Sequence, residues 1–226
     1  MAKVHGVAGE WARVKGMVTG LWPLFLGVFV AGFALAATVL GDVAWGLSLF
    51  AVAIAYSCWS LSKGLRHVER FFKGARGEER VAALLATLPG GWHVFNDFVA
   101  GGHHVDHVVA GPAGVFSVET KSWRGSVTVE EGEILLNGSL PDRAPVTQAT
   151  REAAAVKAAL KRAGWEKGDV MPVLCFASDT FAGAQQMVGT AVVVNASEVT
   201  AWMQSRPKVL SDSDVERLAQ LMETCV

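Results

Sequence analysis

Val105-Asp106-His107-Val108-Val109-Ala110-Gly111-Pro112-Ala113-Gly114-Val115-Phe116-Ser117-Val118-Glu119-Thr120-Lys121 is the stretch from which the rest of the chain can be read. Two runs rich in β-branched and aromatic residues, Val105–Ala110 and Val115–Thr120, flank Gly-Pro-Ala-Gly, whose residue types suit a tight reversal. The pattern predicts two antiparallel strands. With the turn centred on Pro112 and Ala113, Ala110 pairs with Val115, and counting outward sets Asp106 opposite Glu119. Side chains so opposed start about 4.5–5.5 Å apart at Cβ. Carboxylates that close repel, and one tends to hold a proton unless a hard divalent cation lies between them; oxygen ligands of this kind suit Mg2+ or Mn2+. Strand alternation puts Lys121 on the face of Glu119 and Thr120 on the other, so two carboxylates and an ammonium converge. A proline disfavours the primed turns of two-residue hairpins, and a bulge would slip the register and turn Asp106 away. The competing reading is a solvated cross-strand charge cluster.

Further residues join this stretch. Gly77-Glu78 opens an apolar-periodic segment ending at Pro89-Gly90-Gly91, with Glu78 in a first turn where the macrodipole tolerates an acid. Gln148 lies near the start of an Ala-rich helix, Val146–Ala163. Together with Asp106-His107-Val108-Val109, Gly114-Val115-Phe116 and Glu119-Thr120-Lys121, these residues give the segment 74–165 a pattern that resembles the nuclease-related domain (NERD), a branch of the PD-(D/E)xK superfamily. Val105 stands where the superfamily's name has proline, which this branch commonly lacks.

The resemblance implies a restriction-endonuclease-like α/β core, ordered helix, three strands, helix, strand, and preceded here by two transmembrane helices. It implies a Mg2+- or Mn2+-dependent nuclease acting on DNA or RNA. Asp106, Glu119 and the backbone carbonyl of Thr120 would hold the cation, Lys121 would orient or activate the attacking water, and Glu78 would reach the metal through water or a second cation. Gln148 would position Lys121 or the substrate. The alternative is a catalytically silent module of the same fold that holds nucleic acid or a partner at the membrane.

Gly102-His103-His104-Val105-Asp106-His107 also resembles the His-x-His-x-Asp-His signature of metallo-β-lactamase-type zinc hydrolases. Gly102 stands at the first ligand position, and His5, His67 and His93 complete no zinc site. His103, His104 and His107 are expected near the cleft, contacting phosphate.

Between Gly16 and Gly41 there is no Asp, Glu, Lys, Arg or His, and after Asp42 there is none until Lys63. At about 1.5 Å per residue, roughly twenty apolar residues span a hydrocarbon core of about 30 Å. The sequence therefore predicts two transmembrane helices, Leu21–Leu40 and Val43–Leu61, turning through Gly41-Asp42. Arg13 and Lys15 precede them and Lys63, Arg66, Arg70, Lys73 and Arg76 follow, so the positive-inside rule puts both ends in the cytoplasm beside a cell membrane, with Asp42 outward. Ala34-Leu35-Ala36 mimics a signal-peptidase site, but the apolar run exceeds a usual h-region and a second span follows at once.

The expected division is 1–20, a cytoplasmic N-terminal segment; 21–62, the hairpin; 63–73, a basic juxtamembrane linker that continues the second helix or lies at the bilayer surface; 74–195, the nuclease-like domain; and 196–226, two helices packed on it, with Ser211-Asp212-Ser213-Asp214 as an N-cap. Strands are expected at Trp92–Val99, Ser126–Glu130, Glu133–Leu136, Val170–Ala177 and Thr190–Val194 besides the first two. Of 226 residues 51% are hydrophobic, inflated by the spans, and Cys58, Cys175 and Cys225 form no disulfide framework. A net charge of −1 leaves contact with nucleic acid to local residues: Arg124, Arg143, Arg151, Lys157, Lys161 and Arg162.

Overall fold

The computed structural model describes residues 1–41 and 43–224; Asp42 and Cys225, expected at the outward turn and the tail, lie outside the described residues. The chain forms two compact units, Met1–Gly9 with Arg76–Val226, and Glu10–Ala75. In chain order the elements are β1 (Lys3–His5), α1 (Glu10–Leu40), α2 (Val43–Leu85), β2 (His93–Ala100), β3 (His103–Gly111), β4 (Gly114–Lys121), β5 (Val127–Glu130) and β6 (Glu133–Leu136). Then come α3 (Pro145–Arg162), β7 (Val170–Phe176), β8 (Gln186–Val188), β9 (Ala191–Asn195), α4 (Ala196–Ser205) and α5 (Asp212–Thr224).

The larger unit is mixed α/β, built on a sheet ordered β1-β2-β3-β4-β7-β9-β8, with β5-β6 a separate hairpin. The β3–β4 hairpin has the counted register: Gly111 pairs with Gly114, Ala110 with Val115, and the ladder runs out to His107 with Val118. The two-residue loop holds without a bulge because Gly114 takes φ 117°, a conformation glycine adopts without strain. β4, β7 and β9 are parallel neighbours. Parallel strands are covered on both faces, and their side chains divide accordingly. Phe116, Val118, Val173 and Val194 pack with Val81 and Leu85 of α2 and Met203 of α4. On the other face Val108 and Val115 pack with Val156 and Leu160 of α3 and Leu218 of α5. Ser211 caps α5, its Oγ accepting from Asp214 N–H at 3.2 Å.

Two short strands depart from the sequence expectations. Lys3–His5, expected in a separate N-terminal segment, form an edge strand parallel to β2, pairing Lys3 with His93 and His5 with Phe95. Three residues are too few to show a strand period. β8 is equally short, and pairs antiparallel with β9. Residues 63–73, the basic juxtamembrane segment, lie within the continuous helix α2.

His107 is buried inside the sheet, with Nδ1–H donating to Asn96 Oδ1 at 2.8 Å. This corrects its placement beside the cleft: strand alternation turns it away from Asp106. Burial pushes the imidazole from 6.5 down to about 3. The unfolded chain therefore binds a proton that the folded one refuses between these values, and stability falls as pH drops from 6.5. At pH 5 the loss is about 2 kcal/mol. The variant His107→Gln, which keeps a donor for Asn96, should show a shallower acid limb in urea unfolding between pH 6.5 and 4.

The smaller unit consists of α1 and the first part of α2. Close backbone approach at glycine joins them: a Cβ on Gly64 would lie 2.2 Å from Gly20 O, and one on Gly27 would lie 2.3 Å from Ser57 Oγ. Both helices are long and apolar enough to cross a membrane. Large apolar side chains such as Phe25, Phe29, Phe33 and Trp45 are exposed on them.

Candidate active site

Asp106 sits where the sheet opens. Towards β2, Asn96 pairs with His107 and Phe98 with Val105, leaving out the step between, where Asp97 has φ 51°. Towards β4, the ladder ends at His107 with Val118. In place of the next rung, Thr120 N–H donates to Asp106 Oδ2 at 2.7 Å. Ala177 N–H donates to Lys121 O at 3.0 Å, in the direction of β7. Backbone alternation therefore turns both N–H and C=O of Thr120 towards β3, so its carbonyl faces the opening at Asp106.

Glu119 is buried, and Lys121, two residues on along β4, ion-pairs with its Oε1. Lys121 Nζ also donates to Gln148 Oε1 at 2.9 Å, and Gln148 Nε2 donates to Glu152 Oε1 at 2.9 Å. Gln148 lies in the first turn of α3, which opens with Pro145, so the helix start faces the end of β4. Glu78 belongs to the interior of α2 rather than to a first turn, so no helix N-terminus supports its charge. It comes near the sheet because Gly77 leaves no gap. A Cβ on Gly77 would lie 1.7 Å from Ser122 Oγ, 3.1 Å from Ser122 Cβ and 3.3 Å from Ala177 Cβ. The hydroxyl can rotate, but the two β-carbons cannot, so Gly77→Val should lower stability by about 1–3 kcal/mol, read by thermal unfolding.

The electrostatics follow from this crowding. Burial raises the Asp106 carboxyl well above its ordinary value, and the charges of Glu119, Glu78 and Glu152 raise it further against the opposing Thr120 N–H bond. Burial, the Glu119 charge and a hydrogen bond with Glu119 push Glu152 up to about 8, against the lowering effects of Gln148 and Lys121. Among the described residues no N–H or O–H reaches Glu152 Oε2. Four carboxyl groups thus share one neighbourhood with a single close ammonium.

The structure brings Asp106, Glu119, Thr120, Lys121 and Gln148 together, and the charge of Glu78 is felt at Asp106. The sequence reading omitted Glu152. Its signal was the four-residue spacing from Gln148, which puts both on one helical face. Among the described residues no three His, Cys, Asp or Glu side chains are placed to hold a metal by themselves.

A pocket of about 450 Å3 beside Lys121 is lined by Trp123, Leu140 and Arg143 among others. Of the other basic residues singled out, Lys157 is ion-paired with Asp169.

Residues 73–177 match the family model of the nuclease-related domain. No curated protein and no solved structure is significantly similar to the chain.

Proposed function

We propose that the chain is a membrane-anchored, Mg2+-dependent nuclease with a restriction-endonuclease-like core of the PD-(D/E)xK type, hydrolysing phosphodiester bonds of DNA. The observation that carries this reading is the gathering of the Asp106, Glu119, Glu78 and Glu152 carboxyls at the sheet opening, with Lys121 ion-paired to Glu119 and the Asp106 carboxyl pushed far up. Such a cluster calls for a cation. Asp106, Glu119 and the Thr120 carbonyl would hold it, with Glu78 reaching it through water. When bound, Mg2+ (or Mn2+) would neutralise charge on the phosphoryl oxygens and make a water more acidic.

The chain's own groups supply the remainder. Lys121 orients the water for in-line attack on phosphorus; a P–O bond to water forms as the bond to the leaving sugar oxygen breaks, and that oxygen takes up a proton. Gln148 holds Lys121 in place. Trp123 offers a ring face and Arg143 a cation to the strand on either side of the cut bond. Arg143→Ala should weaken DNA binding uniformly across sequences and reduce the slope of log K against log salt by about 1.

The helices α1 and α2 are proposed as two membrane spans. Glycine-mediated close packing is the usual means by which helices associate in lipid, and exposed phenylalanines and tryptophans suit acyl chains better than water. In this reading both ends of the hairpin emerge on one face of the bilayer, a reading supported by Met1–Gly9 and Arg76–Val226 belonging to one unit. The flanking Arg and Lys residues make that face the cytoplasmic one.

The test is to incubate residues 1–226, in detergent micelles, with linear, circular and single-stranded DNA and with RNA, with Mg2+ and with a chelator. The whole chain is needed, since a fragment beginning at residue 74 would lack β1. Cleavage of DNA only with Mg2+ is expected. DNA held equally well in both conditions and never cut would leave a tethering module instead.

A further inference from the structure

We infer that Glu152 is a positioning residue of this site, setting the direction of the Gln148 amide and through it the aim of Lys121. The inference rests on the nuclease reading and adds to it a residue outside the pattern that suggested it. An amide has a carbonyl on one side and an NH2 on the other, nearly equal in shape, so packing alone does not choose between its two orientations. At Gln148 the choice matters. With Oε1 towards Lys121, the ammonium gains an acceptor at 2.9 Å. Flipped, the NH2 would face the ammonium, and two donors would confront each other. Glu152 removes the ambiguity, because its Oε1 accepts from Gln148 Nε2 at 2.9 Å.

The geometry is fixed at both ends. Glu152 is 4% exposed and lies with Ala149, Ala153 and Val156 on the buried face of α3. Lys121 is held between Gln148 and Glu119. A chain of hydrogen bonds therefore runs from Glu152 through Gln148 to the Lys121 ammonium, which faces the reacting water in the proposed mechanism. Glutamine at 152 would offer the same carbonyl to Gln148 and an N–H towards Glu119, whereas leucine would offer neither.

The experiment compares E152L, E152Q, Q148A and the Q148A/E152L double variant with the wild-type chain, measuring kcat and KM for DNA cleavage and the thermal midpoint. In parallel, the acylation rate of Lys121 is measured by mass spectrometry with no nucleic acid present. E152L should lower kcat by about 10–100-fold with little change in KM. E152Q should recover most of that loss, and the double variant should be no worse than Q148A, as expected for residues acting in series. Wild-type cleavage by E152L, a loss in E152Q equal to that in E152L, or additive losses in the double variant would overturn the inference. If the wild-type chain cuts nothing, the nuclease reading fails while the acylation rates still decide the positioning role. Faster modification of Lys121 in E152L and Q148A but not in E152Q supports it, and equal rates in all four chains refute it.

Discussion

Lys121→Ala and Glu119→Ala should each reduce Mg2+-dependent DNA cleavage by about 10²–10⁴-fold while leaving the domain folded. Lys121 is partly buried at the end of β4 and held by two acceptors, Glu119 Oε1 and Gln148 Oε1. Its removal takes away the ammonium that pairs with the buried Glu119 carboxylate. Removing Glu119 deletes a proposed metal ligand and frees Lys121 from its ion pair. The two losses arise from one constellation and should not add: the double variant should be about as inactive as either single one. Circular dichroism and a retained unfolding transition would separate lost chemistry from lost structure, since Lys121 lies at the end of its strand and outside all three hydrophobic clusters. Cleavage by either variant at wild-type rates would remove these residues from the site.

The second large effect runs in opposite directions for stability and activity. Asp106 is held among Glu119, Glu78 and Glu152, and burial together with their charges disfavours its ionised form. Asp106→Asn removes one of the repelling charges and retains an oxygen to accept the Thr120 N–H. The metal-free chain should therefore become more stable, by about 0.5–2 kcal/mol, which for a unit of this size is a rise of a few degrees in Tm. The same change deletes a proposed Mg2+ ligand, so cleavage should be lost. In differential scanning, wild type should gain stability on adding Mg2+, because a ligand that binds only the folded state stabilises it. Asp106→Asn should gain none. A variant less stable than wild type without metal would contradict the repulsion argued here.

The legible and the hidden parts of the fold divide by length and by burial. The β3–β4 register could be counted from Gly-Pro-Ala-Gly because a two-residue loop leaves a single pairing, and the structure has that pairing from Gly111 with Gly114 onward. Counting did not show that the ladder stops at His107 with Val118 and that the Asp106 side chain takes the Thr120 amide in place of the next rung. β1 and β8 were invisible because three residues carry no period, and β1 is separated from its partner β2 by both apolar helices. Glu152 was passed over because an acid in an Ala-rich helix reads as solvent-facing. Only the sheet beneath α3 shows that this face is buried. His107 was misplaced for the opposite reason, since its position next to Asp106 in a strand already implied the other face.

Asp106, Glu119 and the Thr120 carbonyl are proposed to form a cation site at the opening of the sheet. The measurement that tests it most directly is anomalous diffraction from crystals of the chain grown with Mn2+. A peak is expected between the Asp106 and Glu119 carboxylates, in contact with the Thr120 carbonyl, and should disappear in Asp106→Asn. Well-ordered density for these residues with no peak between them, or a peak at His103 and His104 instead, would contradict it.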